Sequence, residues 1–419
     1  MSAIQDRYRR SIAGVVPMET SLHISSGYGP YLETTTGERY LDLATGIAVN
    51  ALGYQHPRVT EALIAQAHHH LHLYGGTGYQ DVVIDFAEAI LATLQGDYQL
   101  FFGNSGTEAV EAAIKFSRWS TGRPGIIAFR GAFHGRSLGA LSLTASAAKY
   151  RSAYEPLLPS VYHIDYPAPT RLGLSPTEAL QESQRQLQSL WDNEISPERI
   201  AALVVEPIQG EGGYVIPPEG FLEWLRDVTM QHGLLLVVDE VQSGVGRTGR
   251  MFAFQHSAIE PDVVIMGKAL GGGLPVSAIA ARRELMEAWP AGTHGTTFGG
   301  NPLACATGLA TLKAIEEEGL LNHVATLGQL ALEILTPLKS LSAIADIRGR
   351  GLMIAVEFAG PNGPELVAQI MRQALEKHIL LHSAGLRHEV IRFMPPLNID
   401  RDLFIEGLRT VVALITAAS

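Results

Sequence analysis

A single cysteine, Cys305, among 419 residues leaves no intramolecular disulfide. Its setting, Asn301-Pro302-Leu303-Ala304-Cys305-Ala306, reads as small core packing. That usage fits a reducing compartment. No lysine or arginine run breaks a chain of net charge -11 and isoelectric point near 5.8, which argues against nucleic acid or an anionic membrane surface as a partner. An anionic substrate must then be met by a few local arginines. No apolar stretch nears the roughly 18 residues of a membrane span, and Met1 to Ser21 carries charges without a signal-peptide core. The expectation is a cytoplasmic protein. Also missing are the Gly-x-x-x-x-Gly-Lys-[Ser/Thr] phosphate loop and the His-Glu-x-x-His zinc helix. No internal repeat or low-complexity tract is visible. The chain does have a 46% hydrophobic and 17% charged composition at a length that can bury a large core and divide into two domains.

Two apolar runs stand out. Leu234-Leu235-Leu236-Val237-Val238 ends in Asp239-Glu240, and Val263-Val264-Ile265-Met266 leads into Gly267-Lys268 and a glycine cluster. Unbroken apolar runs suit parallel strands buried on both faces. In open parallel sheets the ligand crevice lies beyond the carboxyl ends of the strands, so Asp239 and Lys268 are expected in one cleft. A carboxylate and a lysine facing one ligand are what pyridoxal phosphate requires, the first for its pyridine nitrogen and the second for its aldehyde. By themselves the two residues also admit a turn-capping aspartate and a surface lysine.

The surrounding words decide between these. Asp239-Glu240-Val241-Gln242-Ser243-Gly244, Gly246-Arg247-Thr248-Gly249 and Gly267-Lys268-Ala269-Leu270-Gly271-Gly272-Gly273-Leu274-Pro275 resemble the class III aminotransferases among the fold type I pyridoxal phosphate enzymes. The resemblance covers nearly the whole chain. It implies an α/β fold, with a large cofactor domain whose mostly parallel central sheet is flanked by helices, and a smaller α+β domain. Residues 53–305 would form the large domain and 306–419 the small one, with 1–52 joining the small domain.

The resemblance also implies a set of site residues. In Phe102-Gly103-Asn104-Ser105-Gly106-Thr107-Glu108 a strand end meets a helix start, where backbone amides can bind a phosphate or hydroxyls can simply cap. The family uses this word for the cofactor phosphate, which makes Ser105, Gly106 and Thr107 its ligands. Phe133 is the aromatic expected to stack on the cofactor ring; His134, Val241 and Gln242 are also placed with the cofactor. Arg136 would meet the distal carboxylate of the substrate, and Ile47, in Gly46-Ile47-Ala48-Val49-Asn50-Ala51-Leu52-Gly53, would wall its entrance. Glu206 closes the apolar run Ile200–Val205 and is expected in the cleft. Arg392, set among apolar neighbours in Val390-Ile391-Arg392-Phe393, needs a carboxylate partner. In the resembled enzymes the threonine of the glycine-rich loop, here Thr297, crosses a dimer interface to the partner's phosphate. A homodimer or higher even oligomer follows. His68 and His72 satisfy i, i+4 spacing on a helix expected from Pro57 to about Leu73, but nothing nearby completes a metal set.

The implied reaction moves the amino group of an ω-amino acid resembling 4-aminobutyrate to 2-oxoglutarate, giving a semialdehyde and glutamate. Lys268 would hold the cofactor and move the proton, with Asp239 and Glu206 as its catalytic companions. The family further suggests a switch in which Glu206 pairs with Arg392 while the ω-donor is bound and releases it for the α-carboxylate of glutamate. Gly212-Gly213-Tyr214-Val215-Ile216-Pro217-Pro218 is similar to the aminobutyrate group, whereas Gly46–Gly53 is also similar to acetylornithine aminotransferases. An acetylornithine or ornithine-type aminotransferase and a class III amino-acid racemase therefore stand as alternatives. A non-catalytic binding protein on this fold is disfavoured by the presence of Lys268 with all its companions.

Overall fold

Continuous apolar runs fold into strands covered on both sides. In the computed structural model, which describes residues 3–419, seven strands form one sheet in the order Tyr98–Gly103, Ser277–Arg282, Val263–Met266, Leu235–Asp239, Ile200–Val205, Gly125–Arg130, Val161–Asp165. Alternate residues enter two separate cores. Leu203, Val205, Leu236, Val238 and Val264 pack into one, and Ala202, Val204, Leu235, Val237 and Val263 into the other. Burial on both faces is why the three central strands, Ile200–Val205, Leu235–Asp239 and Val263–Met266, carry no polar residue before their ends.

Ser277–Arg282 pairs antiparallel with both Val263–Met266 and Tyr98–Gly103, so Tyr98–Gly103 again runs in the direction of the other five. Six carboxyl ends therefore lie along one edge. Val205 is level with Val238, and Asp239 with Ile265, which sets Glu206, Asp239 and the Gly267–Lys268 turn side by side.

Four antiparallel strands, in the order Ile344–Arg350, Met353–Phe358, Val390–Phe393, His382–Ala384, make the C-terminal sheet. Ile354, Val356, Phe358, Ile391 and Phe393 belong to the core shared with the helices Leu320–Leu335, Gly363–Glu376 and Arg401–Ala418. On the opposite face Met353, Ala355 and Val390 pack with Ala48, Ile208 and Tyr214. Arg392 is in phase with Val390 and so faces the large sheet's side, with no exposed surface.

The N-terminal strands Ile24–Tyr28, Tyr31–Thr34 and Arg39–Asp42 form a third sheet, which Ile379–Leu380 joins in parallel beside Arg39–Asp42. Helix Pro302–Glu317 runs unbroken through 305/306, so the division expected there falls in its first turn, where Cys305 is fully buried. The helix expected to reach Leu73 ends at Ala67, and His68 and His72 do not share a helical face. Among the described residues no helix is long and apolar enough to cross a membrane.

One local feature was invisible in the sequence. Thr45, Gly46, Ile47 and Ala48 all have positive φ (49°, 63°, 63° and 59°), three of them without being glycine. Each non-glycine residue costs roughly 1–2 kcal/mol in this region. Asp42 holds the turn: its Oδ1 accepts from the amides of Ala44 (2.8 Å) and Thr45 (2.9 Å), and its Oδ2 from the Tyr54 hydroxyl (2.6 Å). The Thr45 hydroxyl is tied to Met394 O at 2.8 Å. Asp42→Ala would leave these donors unmatched and is expected to destabilise the protein by about 2–4 kcal/mol in urea unfolding. A change below about 0.5 kcal/mol would show that other contacts hold the turn.

Candidate active site

Lys268 follows its strand through Gly267 and itself sits at φ 46°, a left-handed conformation kept where surrounding structure over-determines it. It lines a cleft of about 1020 Å³ together with Ile47, Phe133, Arg136 and Gln242. Its amine has no hydrogen bond or ion pair among the described residues. Burial, and then the nearby charge of Arg392, pull its pKa down to about 8 against the opposing pull of Asp239, Glu206 and Glu211. An amine with that pKa can lose and regain a proton near neutral pH.

Asp239 is buried, and both its oxygens are oriented. Oδ1 accepts from the Val241 amide at 3.0 Å, and Oδ2 meets His134 Nδ1 at 2.7 Å. Burial pulls the His134 pKa down, but the hydrogen bond to Asp239 and its charge outweigh this and raise it. Carboxylate oxygens have about four lone-pair sites, so one more donor can be accepted. His134, expected beside the cofactor, is thus placed directly on Asp239, and its buried Nε2 has no partner.

Helix Gly106–Thr121 begins at the same edge of the sheet. Ser105 caps it by accepting from Glu108 N at 3.4 Å, and the first-turn amides of Gly106 and Thr107 have no intrahelical acceptor. Gly106 is required by close approach, since a Cβ there would meet Val241 Cγ1 at 2.9 Å. The Thr107 hydroxyl is engaged by Ser137 Oγ at 2.7 Å, a partner the sequence did not suggest. Thr297 is exposed on its loop and is not among the residues lining the cleft.

On the substrate side the structure does not bring Glu206 to Arg392. The Glu206 carboxylate accepts from the amides of Phe133 (3.1 Å) and Gly210 (3.0 Å) and does not pair with Arg392. Burial lifts its pKa to about 7, with His134 opposing and Asp239 reinforcing the shift. The carboxylate facing Arg392 is Glu211, at 3.4 Å, five residues further along the same glycine-rich turn. Arg392 also donates to Ser383 O (2.9 Å) and Gln242 Oε1 (3.3 Å), and lies 5.4 Å from the Tyr214 ring centre. Strand-end position singled out Glu206; which acid reaches Arg392 depends on how the turn folds back, through the Gln209–Val215 bridge. Arg136 has no ion-pair partner among the described residues and rests on aromatic rings, 4.3 Å from Tyr150 and 5.8 Å from Phe133.

The family model described as "Aminotransferase class-III" matches residues 14–415. The chain belongs to the class III aminotransferases. An acetylornithine aminotransferase of Methanopyrus kandleri is 40% identical over 395 residues, covering 94% of each chain. A 4-aminobutyrate aminotransferase of Mycobacterium tuberculosis is 36% identical over 427 residues, covering 99% of this chain and 95% of that one. Among solved structures, an omega transaminase from Pseudomonas jessenii in complex with PMP superposes with a TM-score of 0.92 at 26% identity, covering 100% of this chain and 99% of that one.

This aminotransferase depends on pyridoxal phosphate, and the residues present fit the group. The unpaired Lys268 amine, the spare lone pairs of Asp239, the free first-turn amides at Gly106 and Thr107, and the Phe133 ring match its aldehyde, ring nitrogen, phosphate and ring plane in kind. In the cofactor-free enzyme, acylation of Lys268 by acetic anhydride, followed by mass spectrometry, is expected to titrate with a midpoint near pH 8, rising as the neutral amine forms. A midpoint near the ordinary lysine value of 10.5 would contradict the placement of Lys268 in a desolvated, positively biased cleft.

Proposed function

We propose that this enzyme transfers the amino group of an ω-amino acid of the 4-aminobutyrate type to 2-oxoglutarate. The observation that carries this reading is a pair of arginines in different states, Arg136 lining the cleft and Arg392 buried behind its Glu211 and Gln242 wall. Arg136 carries no counter-charge, whereas Arg392 faces Glu211 at 3.4 Å. An ω-donor brings one carboxylate, which suits Arg136 alone, with Arg392 neutralised by Glu211. Glutamate and 2-oxoglutarate bring a second carboxylate beside the reacting carbon, and Arg392 can take it only if Glu211 yields. The switch thus passes from Glu206 to Glu211 on geometric grounds.

When bound, pyridoxal phosphate supplies an aldehyde for amine exchange and a protonated ring that withdraws electrons. Lys268 would hold the group, and its amine, with a pKa lowered to about 8, can take up and return a proton there. Asp239, oriented by His134, would face the ring nitrogen, and Phe133 would stack on the ring. Ser105, Gly106 and Thr107 would hold the phosphate, with Val241 packed against Gly106 and Gln242 beside Arg392. Glu206, tied to the Phe133 and Gly210 amides, shapes the turn that carries Glu211. Ile47 walls the entrance. Thr297, exposed in the single chain, is assigned to the partner's phosphate in a cytoplasmic homodimer built from protomers of domains 53–305 and 306–419, with 1–52 on the latter. An acetylornithine-type donor is the second reading, favoured by the 40% identity to the Methanopyrus enzyme.

A donor screen against 2-oxoglutarate, measuring glutamate formed, separates these readings, with 4-aminobutyrate expected to exceed N-acetylornithine. The reverse order would install the second reading. Loss of optical rotation from a single amino acid without oxoacid consumption would replace both with racemisation. Sedimentation of the same preparation is expected to show an even oligomer, and a monomer with full cofactor affinity would contradict the role of Thr297.

A further inference from the structure

Tyr150 lies on the short helix Ala148–Arg151 and lines the cleft over Lys268. Its ring centre is 4.3 Å from the guanidinium carbon of Arg136, and its hydroxyl is 3.5 Å from Glu211 Oε1. The Phe133 ring stands nearly perpendicular to it, at 80° and 5.9 Å. One aromatic side chain therefore touches both the arginine without a counter-charge and the carboxylate that faces the other arginine.

The two contacts differ in kind. An aromatic face holds a guanidinium by its quadrupole and leaves the full positive charge available to a ligand, whereas an acidic neighbour would have to be displaced first. Glu211 has the opposite problem. Its Oε2 is 3.4 Å from Arg392 and its Oε1 3.5 Å from the Tyr150 hydroxyl, both long, so the carboxylate is suspended between a cation and a phenol. A ligand carboxylate that claims Arg392 leaves Glu211 needing a donor, because an unpaired carboxylate at a partly dry site is unfavourable.

We propose that Tyr150 is a specificity-determining residue that sets the preference for dicarboxylates, by presenting Arg136 to the distal carboxylate and by receiving Glu211 when the proximal carboxylate takes Arg392. This rests on the reading of Arg136 and Arg392 as the two carboxylate sites. The phenol need not ionise; it donates one hydrogen bond, which shortens as Glu211 turns from the arginine. Phenylalanine at this position keeps the ring under Arg136 and removes only the hydroxyl. Leucine removes both.

The test is calorimetric binding to the holoenzyme of two unreactive probes, glutarate with two carboxylates and butyrate with one. Tyr150→Phe is expected to weaken glutarate about tenfold, the scale of one hydrogen bond to a charged group, with butyrate changed less than about twofold. Tyr150→Leu is expected to weaken both probes. Equal losses for the two probes in Tyr150→Phe, or none, would overturn the assignment, since a merely structural tyrosine would not distinguish them. A wild-type enzyme that binds glutarate no more tightly than butyrate would overturn the two-arginine reading itself, before any variant is compared.

Discussion

A guanidinium with no contact with water constrains everything around it, and Arg392 is in that position. Its strand in the C-terminal sheet contributes the cation; the turn after Ile200–Val205 in the large sheet contributes Glu211. The pair therefore spans the two parts of the molecule. Two further arginines hold that turn from either side. Arg171 donates to Gly212 O at 2.8 Å, and Arg348, from the C-terminal sheet, donates to Gly213 O and Tyr214 O at 3.1 and 3.0 Å. Arg247, in the Gly246–Gly249 word, reaches Pro395 O at 2.6 Å and ties the sheets together behind the cleft. Breaking a buried pair by removing one partner costs on the order of 3–5 kcal/mol, so under the proposed exchange a ligand carboxylate would have to match the charge of Glu211.

The second constraint is the common direction of six strands. It brings Lys268, Asp239, Glu206, the Phe133–Arg136 loop and the Ser105–Thr107 helix start to one edge without any of them being adjacent in sequence. Strain gathers there too: Lys268, Tyr214 and the Thr45–Ala48 turn all hold positive φ at or beside the cleft.

How much of this the sequence revealed follows from which residues act through local pattern. Lys268 and Asp239 were legible because a strand buried on both faces reads as an apolar run, and its end marks the crevice. The helix start at Ser105–Thr107 was legible from its small-residue cap. Ser277–Arg282 was not, since an alanine-rich segment has little strand preference and pairs only because two neighbours enclose it. Val161–Asp165 escaped as an edge strand mixing His163 and Asp165 among its apolar residues. The choice of Glu211 over Glu206 as the neighbour of Arg392 is a contact across roughly 180 residues, and no spacing rule encodes it. Tyr150 escaped for the same reason.

The proposed switch makes Glu211, and not Glu206, the charge that Arg392 exchanges for a substrate carboxylate. Single-turnover rates of the two half-reactions in Glu211→Ala and Glu206→Ala examine it. Glu211→Ala should slow the ω-amino acid half-reaction far more than the glutamate half-reaction, while Glu206→Ala should slow both together through the turn and the Phe133 amide it holds. A selective loss in Glu206→Ala, with both half-reactions equally affected in Glu211→Ala, would contradict it.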